Sequence, residues 1–118
     1  MSYDVYIYHA RVAQTAQSGV DLDEFEHPPI EGADMSRFLE RLPKYGYRED
    51  EESSGREFIK EIGGCPVQVS VFATEIAFSV PYWDNMDAAL AEALQDASEL
   101  ADSDTTALFD PQTEEWVT

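Results

Sequence analysis

Three side chains in this sequence could carry a proton or attack a substrate near neutral pH: Cys65, His9 and His27. A nucleophilic cysteine needs a histidine or another cation beside it to hold its thiolate. Neither histidine stands in a fixed sequence relation to Cys65, which follows Gly63-Gly64 and precedes Pro66. The expected role of Cys65 is that of a small apolar residue at a strand start. His9 closes an alternating run and reads as a hydrogen-bonded structural residue. The second conceivable chemistry is cation binding by Asp21, Asp23, Glu24, Glu26 and His27. Calcium loops place oxygens at alternate residues around a glycine turn. Here Leu22 and Phe25 interrupt the acids, and no glycine occupies the turn. We therefore expect a contact loop pinned by Leu22 and Phe25, with Asp23, Glu24 and Glu26 facing a partner. No GxGxxG, P-loop, GxSxG, HExxH or CxxC pattern is present. On sequence alone, no catalytic residue, metal or cofactor is assigned.

Charge is the dominant signal. The chain has 25 acids against 7 lysines and arginines, a formal net charge of −18. Such a surface repels nucleic acid and anionic lipid and favours a basic partner. The distribution is lopsided: residues 61–118 hold 12 acids and no Lys or Arg. The stretch DASELADSD, 96–104, puts acids at what reads as a helix C-terminus, where the helix dipole favours cations. Glu92, Asp96 and Glu99 follow at i, i+4 and i+7, with Asp102 close behind. They are expected to form an outward negative edge and, with the 23–26 acids, to bind a basic protein. The bases that could instead answer them are Arg37, Arg41, Lys44, Arg48, Arg56 and Lys60. Two further accounts of the acidity are a salt-adapted proteome and solubility alone.

The elements that must position these groups follow from periodicity. At 118 residues the chain is expected to form one domain over 1–118. Residues 1–10 alternate, with Tyr3, Val5 and Ile7 on one face and Asp4, Tyr6 and Tyr8 on the other, which predicts a strand. Residues 11–31 read as a long irregular loop. A helix is predicted over 34–42 from the stripe Met35, Phe38, Leu39, Leu42, capped by Asp34 and stopped by Pro43. Its Arg37, Arg41 and Lys44 make a basic edge. Strands are predicted over 45–49, 56–62, 65–72 and 75–80, with an acidic turn at 49–55. A second helix begins near Asp84 with the inner stripe Met86, Leu90, Ala93, Leu94, Ala97, Leu100. Strands at 105–109 and 114–117 flank the turn Asp110-Pro-Gln-Thr113. The order predicts an α+β fold: a ferredoxin-like two-layer sandwich, two helices on one face of a mainly antiparallel sheet, with an extra hairpin.

Ala107-Leu-Phe-Asp-Pro-Gln-Thr113 resembles the C-terminal signature of a family of small bacterial proteins that ends in an aromatic residue followed by DPQTG. Those proteins begin with an SYD-type strand, like Ser2-Tyr3-Asp4, and carry a PYW-like stretch, like Pro81-Tyr-Trp83. This chain has Glu114 where the family has Gly. The resemblance implies the fold of most of the chain and transfers no activity. In size, charge and fold class the chain is also similar to immunity proteins that neutralise bacterial toxins.

Tyr6, Tyr8, Phe72, Tyr82 and Trp83 are candidates for an aromatic surface. Single-stranded RNA would need a cationic surround, so core packing or a protein interface is expected instead. The remaining function classes are an enzymatic or small-molecule pocket between sheet and helices, and a homo-oligomer joined through the aromatic face. No apolar run approaches the ~20 residues of a membrane span, and the single Cys65 excludes an intrachain disulfide. A cytoplasmic location is the expectation.

Overall fold

The computed structural model describes residues 2–50, 57–82 and 86–117. Arg56, Trp83, Asp84 and the body of the acidic turn, 51–55, lie outside them. The architecture is α+β, with three α-helices and a seven-stranded open antiparallel sheet among the described residues. In chain order the elements are β1 (Ser2–His9), α1 (Ala10–Gln17), α2 (Gly32–Arg41), β2 (Arg48–Glu49), β3 (Glu57–Ile62), β4 (Cys65–Val71), β5 (Glu75–Pro81), α3 (Met86–Leu100), β6 (Thr106–Asp110) and β7 (Glu115–Val117). The sheet order is β2-β3-β4-β5-β1-β6-β7. α3 thus links two strands that lie on either side of β1.

Alternation sets the two faces of the sheet. Ile7 lies across from Ile76 and Leu108, Val5 from Phe78, and Phe78 from Val69. These six residues are buried in one cluster with Phe38 and Leu42 from the α2 region and Ala89, Ala93 and Ala97 from α3. Phe38 and Tyr47 both meet Phe78 edge-on, at ring-centroid distances of 6.2 and 5.8 Å. The alanines of α3 leave room for the helix axis to approach the sheet closely. The other face carries Tyr6 opposite Phe109, and Phe109 opposite Trp116.

Several local expectations change. The run after His9 is helical, not irregular, over Ala10–Gln17. The His9 side chain accepts a hydrogen bond from the Arg11 N–H and caps that helix. Val12 and Ala13 bury, and Gly19, at φ +106°, follows the helix end. Asp34 does not cap α2; Glu31 occupies the N-cap position, and Asp34 sits in the first turn. Pro43 does not end the helical path either. It lies in a 3-10 turn over Leu42–Tyr45, where its missing N–H costs nothing, and Gly46 at φ +93° stops the chain. Gly63 and Gly64 both have positive φ and close the β3–β4 hairpin, the geometry a two-residue turn of right-handed strands requires.

Candidate functional site

Asp96 corrects the expectation of a continuous outward acidic row. It is 6 % exposed. The buried residues Ala89, Ala93, Ala97 and Leu100 share its side of α3. Lys60 on β3 pairs with Val67 across the sheet, so it shares the helix-facing side and reaches the same place. Its Nζ lies 2.9 Å from Asp96 Oδ2 and 2.9 Å from Glu92 Oε2. The Tyr47 hydroxyl donates to the same Asp96 oxygen at 3.0 Å, and the ammonium sits over the Tyr47 ring at 5.2 Å. Burial and then the Asp96 charge raise the Tyr47 pKa, keeping the phenol protonated as a donor. Burial lowers the Lys60 pKa, but hydrogen bonds to Glu92 and Asp96 outweigh it, and the net direction is up.

The remaining acids of the row are answered too. Arg41 Nη1 lies 3.1 Å from Asp102 Oδ1 and Arg37 Nη2 3.3 Å from it. The Tyr45 hydroxyl donates to Glu99 at 3.4 Å. Thr105 donates its hydroxyl to Asp34 and joins the start of α2 to the segment after α3. Asp102, just after α3, is thus met by Arg37 and Arg41 of α2, Glu99 by the Tyr45 hydroxyl, and Glu92 and Asp96 by Lys60. Arg37, Arg41 and Lys60 of the N-terminal half pair in this way with Glu92, Asp96 and Asp102 of the C-terminal half.

The 21–26 acids have a different setting. Glu24 N–H bonds to Asp21 C=O at 2.9 Å, closing a 3-10 turn over Leu22–Glu24. His27 Nε2 is 2.8 Å from the Leu22 carbonyl, so that nitrogen carries the proton and donates. The His27 ring also meets the Tyr8 ring edge-on at 5.1 Å and packs on Phe25 at 5.0 Å. Tyr8 in turn lies 6.0 Å from Trp116. Burial pushes the Tyr8 pKa up to about 12. These rings hold the loop against the sheet face that α3 leaves open. Asp21, Asp23, Glu24 and Glu26 are all exposed. Among the described residues none of them forms a salt bridge.

Between this loop and the C-terminal hairpin is a cleft of about 510 Å³, walled by Phe109 and Trp116 and rimmed by Asp21, Asp23, Glu24 and Glu114. The two rings are 4.7 Å apart and both are half-buried. Glu114 holds φ +56°, the only non-glycine residue with positive φ among those described. A left-handed conformation costs a non-glycine residue about 1–2 kcal/mol. Glu114→Gly is therefore expected to stabilise the fold by about 1 kcal/mol, the glycine's larger unfolded-state entropy offsetting part of the relief. Chemical denaturation of the two proteins checks it.

The other sequence candidates, Cys65 and His9, make local contacts. Cys65 is a free, buried thiol whose Sγ is 3.9 Å from the Pro81 carbonyl oxygen. His9 accepts at Nδ1, so Nε2 bears the proton and points at Glu31, 3.4 Å away. Among the described residues no three His, Cys, Asp or Glu side chains are arranged to hold a metal ion. A second cleft, about 420 Å³, lies between α1, the end of α3 and β6. Of its acids, Asp102 is already paired with two arginines.

The two ends that carried the family resemblance touch each other. The Tyr3 hydroxyl donates to Asp110 Oδ2 at 2.6 Å. Asp110 Oδ1 accepts the Gln112 N–H at 3.0 Å, fixing the turn before β7. With its amide correctly oriented, Gln112 also donates to the Asp4 carbonyl at 2.9 Å. In this chain the SYD and DPQT segments form one interlocked unit. A scan against protein-family models found no match to this chain, and a search of curated proteins found none either. The functional reading rests on the geometry.

Proposed function

We propose that this chain is an acidic protein-binding module that covers a basic site on a partner protein, in the manner of an immunity-type inhibitor of a cationic toxin such as a nuclease. One observation carries the proposal. Bases of the N-terminal half pair with Glu92, Asp96 and Asp102, whereas Asp21, Asp23, Glu24 and Glu114 form no salt bridge among the described residues and line one cleft. Charge of this kind speeds association and selects the partner. The binding face is accordingly the loop with Asp23, Glu24 and Glu26, joined by the C-terminal hairpin. Glu92, Glu99 and Asp102 stand apart from it as exposed acids already engaged by Lys60, Tyr45, Arg37 and Arg41, and Asp96 has no part in the contact. We also propose the family kinship suggested by the DPQT and SYD segments, and a ferredoxin-like core, which the β4-β5-β1-β6 order around α3 supports. No helix among the described residues is long and apolar enough to cross a membrane.

Salt adaptation is the competing explanation of the charge, and thermal unfolding from low salt to molar KCl separates the two. The binding account expects a protein folded at low salt that gains little from added KCl, because the buried Asp96 and its neighbour Glu92 are paired within the fold. A chain that folds only in molar salt would assign the acidity to its solvent and remove the proposal's support.

A further inference from the structure

We infer that the cleft between the 20–24 turn and the C-terminal hairpin is an arginine socket, receiving one guanidinium side chain of the basic partner. The inference rests on the binding role proposed above and names its anchor. Acids alone would describe any exposed loop of this protein. Here they rim a cleft of about 510 Å³ whose apolar wall combines the Phe109–Trp116 ring pair with Ala16, Val20 and Leu22. A guanidinium stacks on an aromatic face while its N–H fork bonds carboxylates at the edge, a combination that a compact ammonium fits less well. No basic residue lines the cleft, so nothing within the described chain competes for the place.

Two features preorganise the socket. The loop is fixed by the His27–Leu22 hydrogen bond and by the Tyr8, His27 and Phe25 rings. Glu114 is held at a left-handed φ of +56°, where glycine would be relaxed, and so a carboxylate stands on the hairpin side of the rim opposite Asp21, Asp23 and Glu24. Sparsely populated backbone kept at such a position is common where strain serves binding.

The test uses the full chain and two probes. Nα-acetyl-arginine methylamide and its uncharged citrulline counterpart are titrated while the Trp116 indole and Phe109 amide resonances are followed. The socket requires saturable shifts at both with the arginine probe and none with citrulline; equal shifts with the two probes overturn it. A hexa-arginine peptide is then bound to the unmodified chain, to Trp116→Leu and to Glu114→Gln, each checked for an unchanged thermal midpoint. Glu114→Gln leaves the hairpin packing intact should Trp116→Leu not fold. Each variant is expected to bind about tenfold more weakly. Undiminished affinity in a folded variant overturns the socket and leaves the acidic binding face standing. Failure of the unmodified chain to bind hexa-arginine at all overturns the binding role itself.

Discussion

Replacing Lys60 with Met is expected to destabilise the fold by about 3–5 kcal/mol, the range for removing one partner of a buried ion pair. Asp96 is 6 % exposed, and Lys60 is the cation on its carboxylate. Without it the charge keeps the Tyr47 hydroxyl as its hydrogen-bond donor among the described residues. Lys60→Met combined with Asp96→Leu is expected to recover most of the loss, since no buried charge then remains unpaired, although Tyr47 still needs an acceptor. Urea unfolding of the single and double variants measures both. A loss under 1 kcal/mol in the single variant would show that water reaches Asp96 freely. The wild-type pair also has a pH signature. The Lys60 pKa is raised above its ordinary 10.5 in the folded state. Its contribution is therefore complete below 10.5 and falls away as pH climbs through the raised value.

Replacing Asp110 with Ala is expected to cost about 3 kcal/mol, because two hydrogen bonds to a buried carboxylate are lost together. One holds Tyr3 at the start of β1 and the other holds the turn before β7. Hydrogen exchange should accordingly rise at both chain ends in the same variant, while α3 keeps its protection. The alkaline limb of stability should change as well. The hydrogen bond to Asp110 is the largest cause of a Tyr3 pKa pushed up to about 12, from 10.0. A raised tyrosine favours the folded state with its phenol protonated. That stability is present below pH 10 and lost as pH rises toward 12. Asp110→Ala reduces this slope, and ultraviolet absorbance of the phenolate would show Tyr3 ionising earlier.

The sheet was largely legible because its strands alternate. Val67 and Val69, or Ile76 and Phe78, announce a buried face, and Gly63-Gly64 announces its turn. α1 was not legible by the usual signs. Its cap is a histidine rather than Ser, Thr, Asp or Asn, and its buried positions Val12 and Ala13 are small. Asp96 was misjudged by weighting side-chain type over spacing. It stands at i+3 from Ala93 and i−4 from Leu100, squarely on the inner stripe, and Lys60 alternates onto the same side of the sheet. A buried acid and an inward-facing lysine at matching periods were the available signal. The cleft could not be read at all. Its loop acids and its Phe109–Trp116 wall lie at opposite ends of the chain, and only the pairing of β6 with β1 and β7 brings them together. Glu114 alone gave a hint, by standing where the resembling family has glycine.

The division of the acids into an answered set and an unanswered set is what the whole reading turns on. It is tested by neutralising each set separately and measuring thermal stability and hexa-arginine affinity side by side. Glu92→Gln, Glu99→Gln and Asp102→Asn together should lower the thermal midpoint and leave most of the affinity. Asp21→Asn, Asp23→Asn and Glu24→Gln together should leave the midpoint unchanged or higher and weaken binding about tenfold or more. If the α3 set instead abolishes binding at an unchanged midpoint while the loop set binds like the unmodified chain, the binding face lies on α3 and the account is contradicted.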